Sequence, residues 1–388
     1  MAYCKFQADQ LFTGYELLSS NHVLITDANG KVLDITTISE AGDDVQQLRG
    51  ILSPGFINCH CHLELSHLKG KIPENTGLTQ FISWVMKSPP IDQRIKDECM
   101  RLADEEMYSS GIVAVGDISN QQYSLYQKQK SQIRWYNFLE LTNLDDEKAV
   151  EKLKYFNTVE EEFSSTLSQS PTALSPHAIY SVSPQTFRLI NAATKNKTIT
   201  IHNQECAAEN ELFMKGCGKF LQFYEAIGRK SLPINISGRS SLQTWLPYFN
   251  NGQTIISVHN TYISEADIVF AKEYTMANNM QIIYCLCPNA NIYIENRLPP
   301  VDLLMKHQCK IVLGTDSYGS NRQLSIAKEI ETLQHNLPLI SIKDILQWAT
   351  INGATTLGFE KDLGSFEKGK QPGVVLISDD YSRSERIL

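Results

Sequence analysis

The residues best suited to chemistry are histidines that close apolar runs. Phe56-Ile-Asn-Cys-His-Cys-His62 ends on two of them, one residue apart. Side chains alternate along a strand, so His60 and His62 share one face while Cys59 and Cys61 take the other. Two imidazoles on one face can share a metal ion, or they can be a buried, hydrogen-bonded pair. The same alternation argues against a four-ligand zinc knuckle drawn from these consecutive residues. Thr200-Ile-His-Asn-Gln-Glu205 adds a third imidazole, His202, with a carboxylate three residues further on. Ile256-Ser-Val-His259 adds another, and Thr172–His177 ends on a fifth. Ile311-Val-Leu-Gly-Thr-Asp316 closes an apolar strand on an aspartate, a residue that strand interiors disfavour. Each run alone has an ordinary structural explanation. Together, in this order and on separate strands, they point to one metal ion with an acid beside it.

The elements that must position them alternate along the chain. Strands are expected at Gly55–His62, Ile112–Ile118, Ile133–Leu141, Thr172–His177, Thr198–His202, Thr254–His259, Gln281–Leu286 and Lys310–Thr315. Helical stretches such as Arg94–Tyr108, Pro184–Asn196, Glu265–Ala277 and Ser325–Gln334 separate most of them. Eight strands, most followed by a helix, predict an α/β fold, a (β/α)8 TIM barrel over residues 51–358. Active sites of such barrels lie at the C-terminal ends of the strands, where these histidines fall. No Gly-x-Gly-x-x-Gly follows a strand, which argues against an open dinucleotide-binding sheet. The first 50 residues instead hold short β-prone runs broken by turns, and Gly373–Ser378 offers a matching run near the C-terminus. Residues 1–50 and 359–388 are therefore expected to form one composite β-sandwich. The acidic stretch Asp145–Glu162 reads as a solvated helix.

Composition excludes several classes. The chain has 388 residues, 42% hydrophobic and 20% charged, enough for a full core. Its net charge of −8 argues against a nucleic-acid partner. No apolar run is long enough to cross a bilayer, and the first residues lack the apolar core of a signal peptide. Nine scattered cysteines suggest free thiols in a reducing cytoplasm. Cys287 ends an apolar strand with no histidine beside it in sequence, which favours a structural thiol over a nucleophile.

The chain resembles the amidohydrolase superfamily, in its branch of cytosine, guanine and adenosine-type deaminases and related chlorohydrolases. The resemblance rests on Pro54–Glu64, Ser175–Pro184, His202-Asn-Gln-Glu205, Val258-His259, Cys287–Asn291, Leu313–Asn321, Ala349–Ala354 and Leu363–Lys370. It spans nearly the whole chain. The stretch His60–Gly70 most resembles the aminofutalosine-deaminase-like subgroup. The resemblance implies that His60, His62, His202 and Asp316 hold one divalent metal, with Zn2+ favoured over Fe2+ or Mn2+. Strand four ends Ser175-Pro-His177 without the lysine of binuclear members, so a mononuclear site is expected. It implies that His259 aims the attacking water, that Asp316 takes its proton, and that Glu205 shuttles a proton to the substrate. It also places His177, Asn291, Ser320 and Asn321 against the substrate. Trp84 can stack on a heterocycle or pack on the barrel, and Glu64 can fix a ligand imidazole or form a salt bridge.

The activity so implied is that of a metal-dependent aminohydrolase: hydroxide formed at the metal attacks an sp² carbon of a nucleoside or N-heterocycle and ammonia leaves. The alternatives are chlorohydrolase or cyclic-amidase chemistry at the same site, or a non-catalytic ligand-binding barrel. The expected partner is a small-molecule substrate, with no nucleic acid or membrane and a possible homodimer.

Overall fold

The computed structural model describes residues 3–229 and 236–388. Two four-stranded parallel sheets form its centre. Phe56–Cys61, Ile112–Ser119, Arg134–Leu141 and Thr172–Pro176 make the first; Thr198–Asn203, Thr254–His259, Gln281–Leu286 and Ile311–Leu313 make the second. Each sheet runs in chain order, with helices covering its outer side. This burial on both faces explains why the strands read as near-continuous apolar runs; every residue of Ile112–Ser119 is buried.

The fold is TIM-barrel-like α/β, but the eight strands do not form one continuous ladder. Single parallel bridges join the sheets, Ala178 with His202 at one seam and Cys61 with Asp316 at the other. The physical reason lies in the strand ends. The eighth strand, expected over Lys310–Thr315, spans only Ile311–Leu313. Gly314 then turns the chain against the first strand, where an added Cβ would meet the His60 Cβ at 2.8 Å. The fourth strand stops at Pro176, so His177 lies just past its end.

Helix boundaries follow local chemistry. Ser183 accepts from Thr186 N at the start of Pro184–Ala193, with proline in the first turn. Ser264 and Asp267 form a capping box on Glu265–Ala277. The stretch expected to be a solvated helix from residue 145 begins its α-helix at Ala149 and buries Phe156, Val159 and Phe163. Acidic residues cover its outer face, which is what composition alone registered.

Both chain ends meet in two small sheets. Val32–Thr37, His22–Asp27, Tyr3–Gln7 and Gln46–Gln47 form one. In the other, the C-terminal strand Val374–Ile377 pairs antiparallel with Ile51–Pro54, which leads directly into the first core strand. Phe6, Leu11, Leu24, Leu52, Phe366 and Val374 pack together between them.

A buried ion pair ties the second strand to the covering helices. Lys128 Nζ lies 2.6 Å from Asp117 Oδ2, both side chains fully buried, and also donates to Ser119 Oγ and Asn137 Oδ1 at 3.0 Å. Asp117 Oδ1 in turn accepts from the backbone N–H of Leu63 at 2.8 Å, one residue beyond His62. Lys128→Met would leave the Asp117 charge unpaired in the interior. The expected cost is about 3–5 kcal/mol of unfolding free energy. Urea denaturation measures it, and adding Asp117→Asn should recover part of the loss. A Lys128→Met protein as stable as the parent would refute this.

Candidate active site

The C-terminal ends of the core strands bring the histidines to one point. Strand alternation turns His60 and His62 to the same side. Their Nε2 atoms lie 3.1 Å apart, and His62 Nε2 lies 3.2 Å from His202 Nε2. Asp316 Oδ1 stands 3.4 Å from His60 Nε2 and 3.3 Å from His62 Nε2. One ligand atom each from His60, His202, His259 and Asp316 also fits within a 4.8 Å cluster.

These atoms suit a cation. His202 Nδ1 is 2.9 Å from the carbonyl of His177 and donates its proton there, which leaves a lone pair on Nε2. His60 Nδ1 is buried without a partner. Burial holds His60 and His62 below the usual imidazole range. Burial, reinforced by His177, lowers His202 to about 4. Burial would raise the Asp316 carboxyl, but the hydrogen bond with His60 and the charges of His62 and His259 hold it well below the usual range. Neutral imidazoles facing an ionised carboxylate form a donor set for one divalent ion. Ligand–metal distances of about 2.0–2.1 Å would separate tetrahedral nitrogens by roughly 3.3–3.4 Å, close to the spacings found here.

The backbone is strained at the same place. Gln204, His259, Asn260 and Asp316 all have positive φ, at 47°, 72°, 57° and 58°. Such conformations cost non-glycine residues of order 1–3 kcal/mol each and persist where surrounding bonds enforce them. Asn260 is held by Ser257 Oγ at 2.6 Å, and Asp316 Oδ2 accepts from Ser320 Oγ. The turn at Glu205 is braced by Glu209, whose carboxylate accepts from Gln204 N and Glu205 N at 3.0 and 3.2 Å. Burial raises Glu209 to about 7. Glu209 has no counterpart in the sequence reasoning, although its spacing four residues after Glu205 was a usable signal.

Glu205 is buried and lies 3.6 Å from His259 Nε2. Burial pushes its carboxyl well above the usual range, and the charges of Asp316, Glu209 and Glu295 add to the shift. It faces a cavity of about 440 Å³ together with His62, His177, His202, His259 and Asp316. Its lining also includes the polar Asn120, Glu140 and Asn143 and the apolar Leu78, Phe81, Ile82, Val85, Met86 and Phe223. A roomier groove of about 710 Å³ lies elsewhere, along helix Gln93–Ser109, and none of the clustered histidines lines it.

Other expected site residues fall outside the cavity. Trp84 is 44% exposed, on the far side of helix Leu78–Lys87 from its cavity-facing residues Phe81, Ile82 and Val85. Asn291 sits behind His259, with its amide nitrogen 3.3 Å from His259 Nδ1 and 2.7 Å from Thr261 Oγ1. Ser320 is fully buried against Asp316, and Asn321 donates to the Thr315 carbonyl and Glu329. None of the three lines the cavity: Ser320 and Asn321 are buried in the turn that follows Asp316, and Asn291 is buried on helix Pro288–Glu295. His177 does line it, with Nδ1 held by Ser181 Oγ at 2.6 Å; burial, then the charges of His62 and His60, lowers it to about 3. Among the described residues Glu64 makes no salt bridge: it accepts from Asn120 N and Ser124 Oγ. Cys287 is buried, and burial raises its thiol well above the usual range.

Comparison with known proteins agrees with this geometry. The amidohydrolase family model matches residues 51–385. A 5'-deoxyadenosine deaminase of Methanococcus vannielii is 25% identical over 399 residues, covering 92% of this chain and 85% of that protein. A 5-methylthioadenosine/S-adenosylhomocysteine deaminase of Thermodesulfovibrio yellowstonii is 25% identical over 344 residues, covering 84% and 72%. Among solved structures, aminofutalosine deaminase of Helicobacter pylori in complex with methylthio-coformycin superposes with a TM-score of 0.76 at 22% identity, covering 97% of this chain and 92% of that one.

Proposed function

The chain belongs to the amidohydrolase family and is a metal-dependent hydrolase of C–N bonds, and from that premise we propose that it deaminates an adenine nucleoside whose 5′ position carries a small or apolar group. The observation that carries this reading is Glu205, a buried carboxyl whose surroundings favour its protonated form, set beside the histidine cluster. The apolar wall of Leu78, Phe81, Ile82 and Val85 supports an apolar substituent at the far end of the substrate.

In this proposal His60, His62, His202 and Asp316 hold one divalent ion, with Zn2+ suiting three imidazoles and a carboxylate. Once bound, the ion supplies Lewis acidity that makes water a nucleophile near neutral pH. The chain's own residues handle the protons. Asp316 accepts one from the attacking water through Oδ1. Glu205 gives its proton to N1 of the purine, so that C6 becomes electrophilic as the C6–O bond forms. Glu205 then takes the second water proton, and the proton held by Asp316 passes to the amine as the C6–N bond breaks, which returns both carboxyl groups to their starting states. His259, oriented by Asn291, keeps the water on its line of attack. His177, which lines the cavity, contacts the leaving-group side or the ring of the substrate. The net change is one water consumed and one ammonia released, leaving a 6-oxo purine.

The division into 51–358 and the paired ends 1–50 and 359–388, a cytoplasmic location and a homodimer belong to the same proposal. No helix among the described residues is long and apolar enough to cross a membrane. The test is ammonia release by Zn2+-loaded protein with 5'-deoxyadenosine, methylthioadenosine, S-adenosylhomocysteine, adenosine, aminofutalosine, guanine and cytosine. Turnover of a 5′-modified adenosine, exceeding that of the free bases, is expected. Preference for a free base, or silence across the panel from protein with one metal per chain, would overturn it.

A further inference from the structure

The metal centre is assembled across a seam. His60 and His62 come from the first sheet and His202 from the second, and beside His202 the two sheets share only the single bridge to Ala178. Backbone pairing there is sparse, so some other contact must set where the His202 ring stands. Glu140 is the one acidic side chain reaching it from the first sheet among the described residues. It lies near the end of the third strand, is 5% exposed, and places Oε1 3.5 Å from His202 Nδ1. That oxygen is buried and has no hydrogen-bond partner, while Oε2 accepts from Asn120 Nδ2 at 2.9 Å.

Asn120 carries the connection back to the other ligands. Its backbone N–H donates to Glu64 Oε2 at 3.1 Å, and Glu64 follows His62 by two residues. A buried polar chain thus runs from the His60–His62 strand end through Glu64, Asn120 and Glu140 to His202. Metal-ligating imidazoles ordinarily give their second N–H to such a partner, which fixes the ring and raises its basicity. The carbonyl of His177 already accepts from Nδ1, and Glu140 Oε1 stands 3.5 Å from the same nitrogen.

We propose that Glu140 is a positioning residue of the metal centre, holding His202 across the seam and coupling it through Asn120 to the loop that bears His62. This rests on the metal-dependent reading above and not on which substrate is used. Removal of Glu140 then loosens one ligand imidazole. The loss should appear first in metal retention.

The experiment compares the full chain with Glu140→Ala, Glu140→Gln and Asn120→Ala. Zn2+ affinity is measured by competition with a chromophoric chelator, and the visible spectrum of each Co2+-loaded protein reports ligand geometry. For Glu140→Ala a 10–100-fold weaker Zn2+ affinity is expected, with an altered Co2+ spectrum. Glu140→Gln keeps an acceptor oxygen and should recover part of the loss, and Asn120→Ala should show a smaller loss. Unchanged Zn2+ affinity and Co2+ spectrum in Glu140→Ala would overturn the proposal, and a raised KM alone would make Glu140 a substrate contact. Should Glu140→Ala not fold, the Gln and Asn120 variants decide: parent-like affinity in both also overturns it. Because the Zn2+ affinity and the Co2+ spectrum need no substrate, a failed substrate panel leaves those two results interpretable.

Discussion

Glu205→Gln is expected to lower ammonia release by roughly 10²–10⁴-fold, the range for losing a general acid, while the protein still binds one metal per chain. The substitution is nearly isosteric. It keeps the braces from Gln204 N and Glu205 N to Glu209, because those use the backbone of the turn. It removes the one thing the buried surroundings of Glu205 favour, an acidic proton held beside Asp316 and His259. The purine ring nitrogen would have to gain its proton from solvent, with no positioned acid beside it. Initial rates together with metal analysis check this. A variant with more than a tenth of parental activity would remove Glu205 from the proton path, whereas loss of metal along with activity would make it a structural residue.

Removing the metal carries the second large effect, on two observables at once. Turnover should fall to background in excess chelator and return with one equivalent of Zn2+. Stability should fall as well, because the ion binds the folded arrangement and not the unfolded chain. A site filled at 1,000 times its dissociation constant contributes about 4.1 kcal/mol. The contacts give the reason. Three imidazole Nε2 atoms stand within 3.1–3.2 Å in sequence around His62, and burial keeps these rings uncharged, so unshared pairs face one another. A cation between them turns that repulsion into attraction. Scanning calorimetry of the same preparation with and without metal measures the shift. An unchanged melting temperature between preparations that differ in metal content would show that the cluster is stable by itself.

Asp316 links the two expectations. It is the one ionised ligand of the proposed set, and it sits where the first and second sheets meet through the Cys61 bridge. Its second oxygen accepts from Ser320, a residue whose hydroxyl the sequence reading had turned toward the substrate. Ser320 and Asn291 therefore contact Asp316 and His259 from behind the cavity wall. The same displacement applies to Trp84. Trp84 was expected against a heterocycle or the barrel, yet the cavity is lined by Phe81, Ile82 and Val85 while Trp84 is 44% exposed. A helix read from its sequence has a periodic face, but its rotation about its own axis is set by what it packs against.

Much of the architecture was legible because it is written in local patterns. Apolar runs of strand length ending on His62, His177, His202, His259 and Asp316 identify both the strands and the end that bears chemistry, since burial of both faces of a parallel sheet demands such runs. The family resemblance supplied the expected ligand set, and the spacing of His60 and His62 placed both on one face because strand geometry has a period of two. What only the tertiary structure decided is how those ends meet. The single-bridge seams, the left-handed backbone at His259 and Asp316, the brace from Glu209 and the reach of Glu140 to His202 have no periodic signature. Each depends on contacts between segments far apart in the chain, and on side chains meeting backbone groups that a sequence does not display. Residue types and strand ends are properties of short stretches; the atom that each imidazole turns toward its neighbours is a property of the closed packing around it.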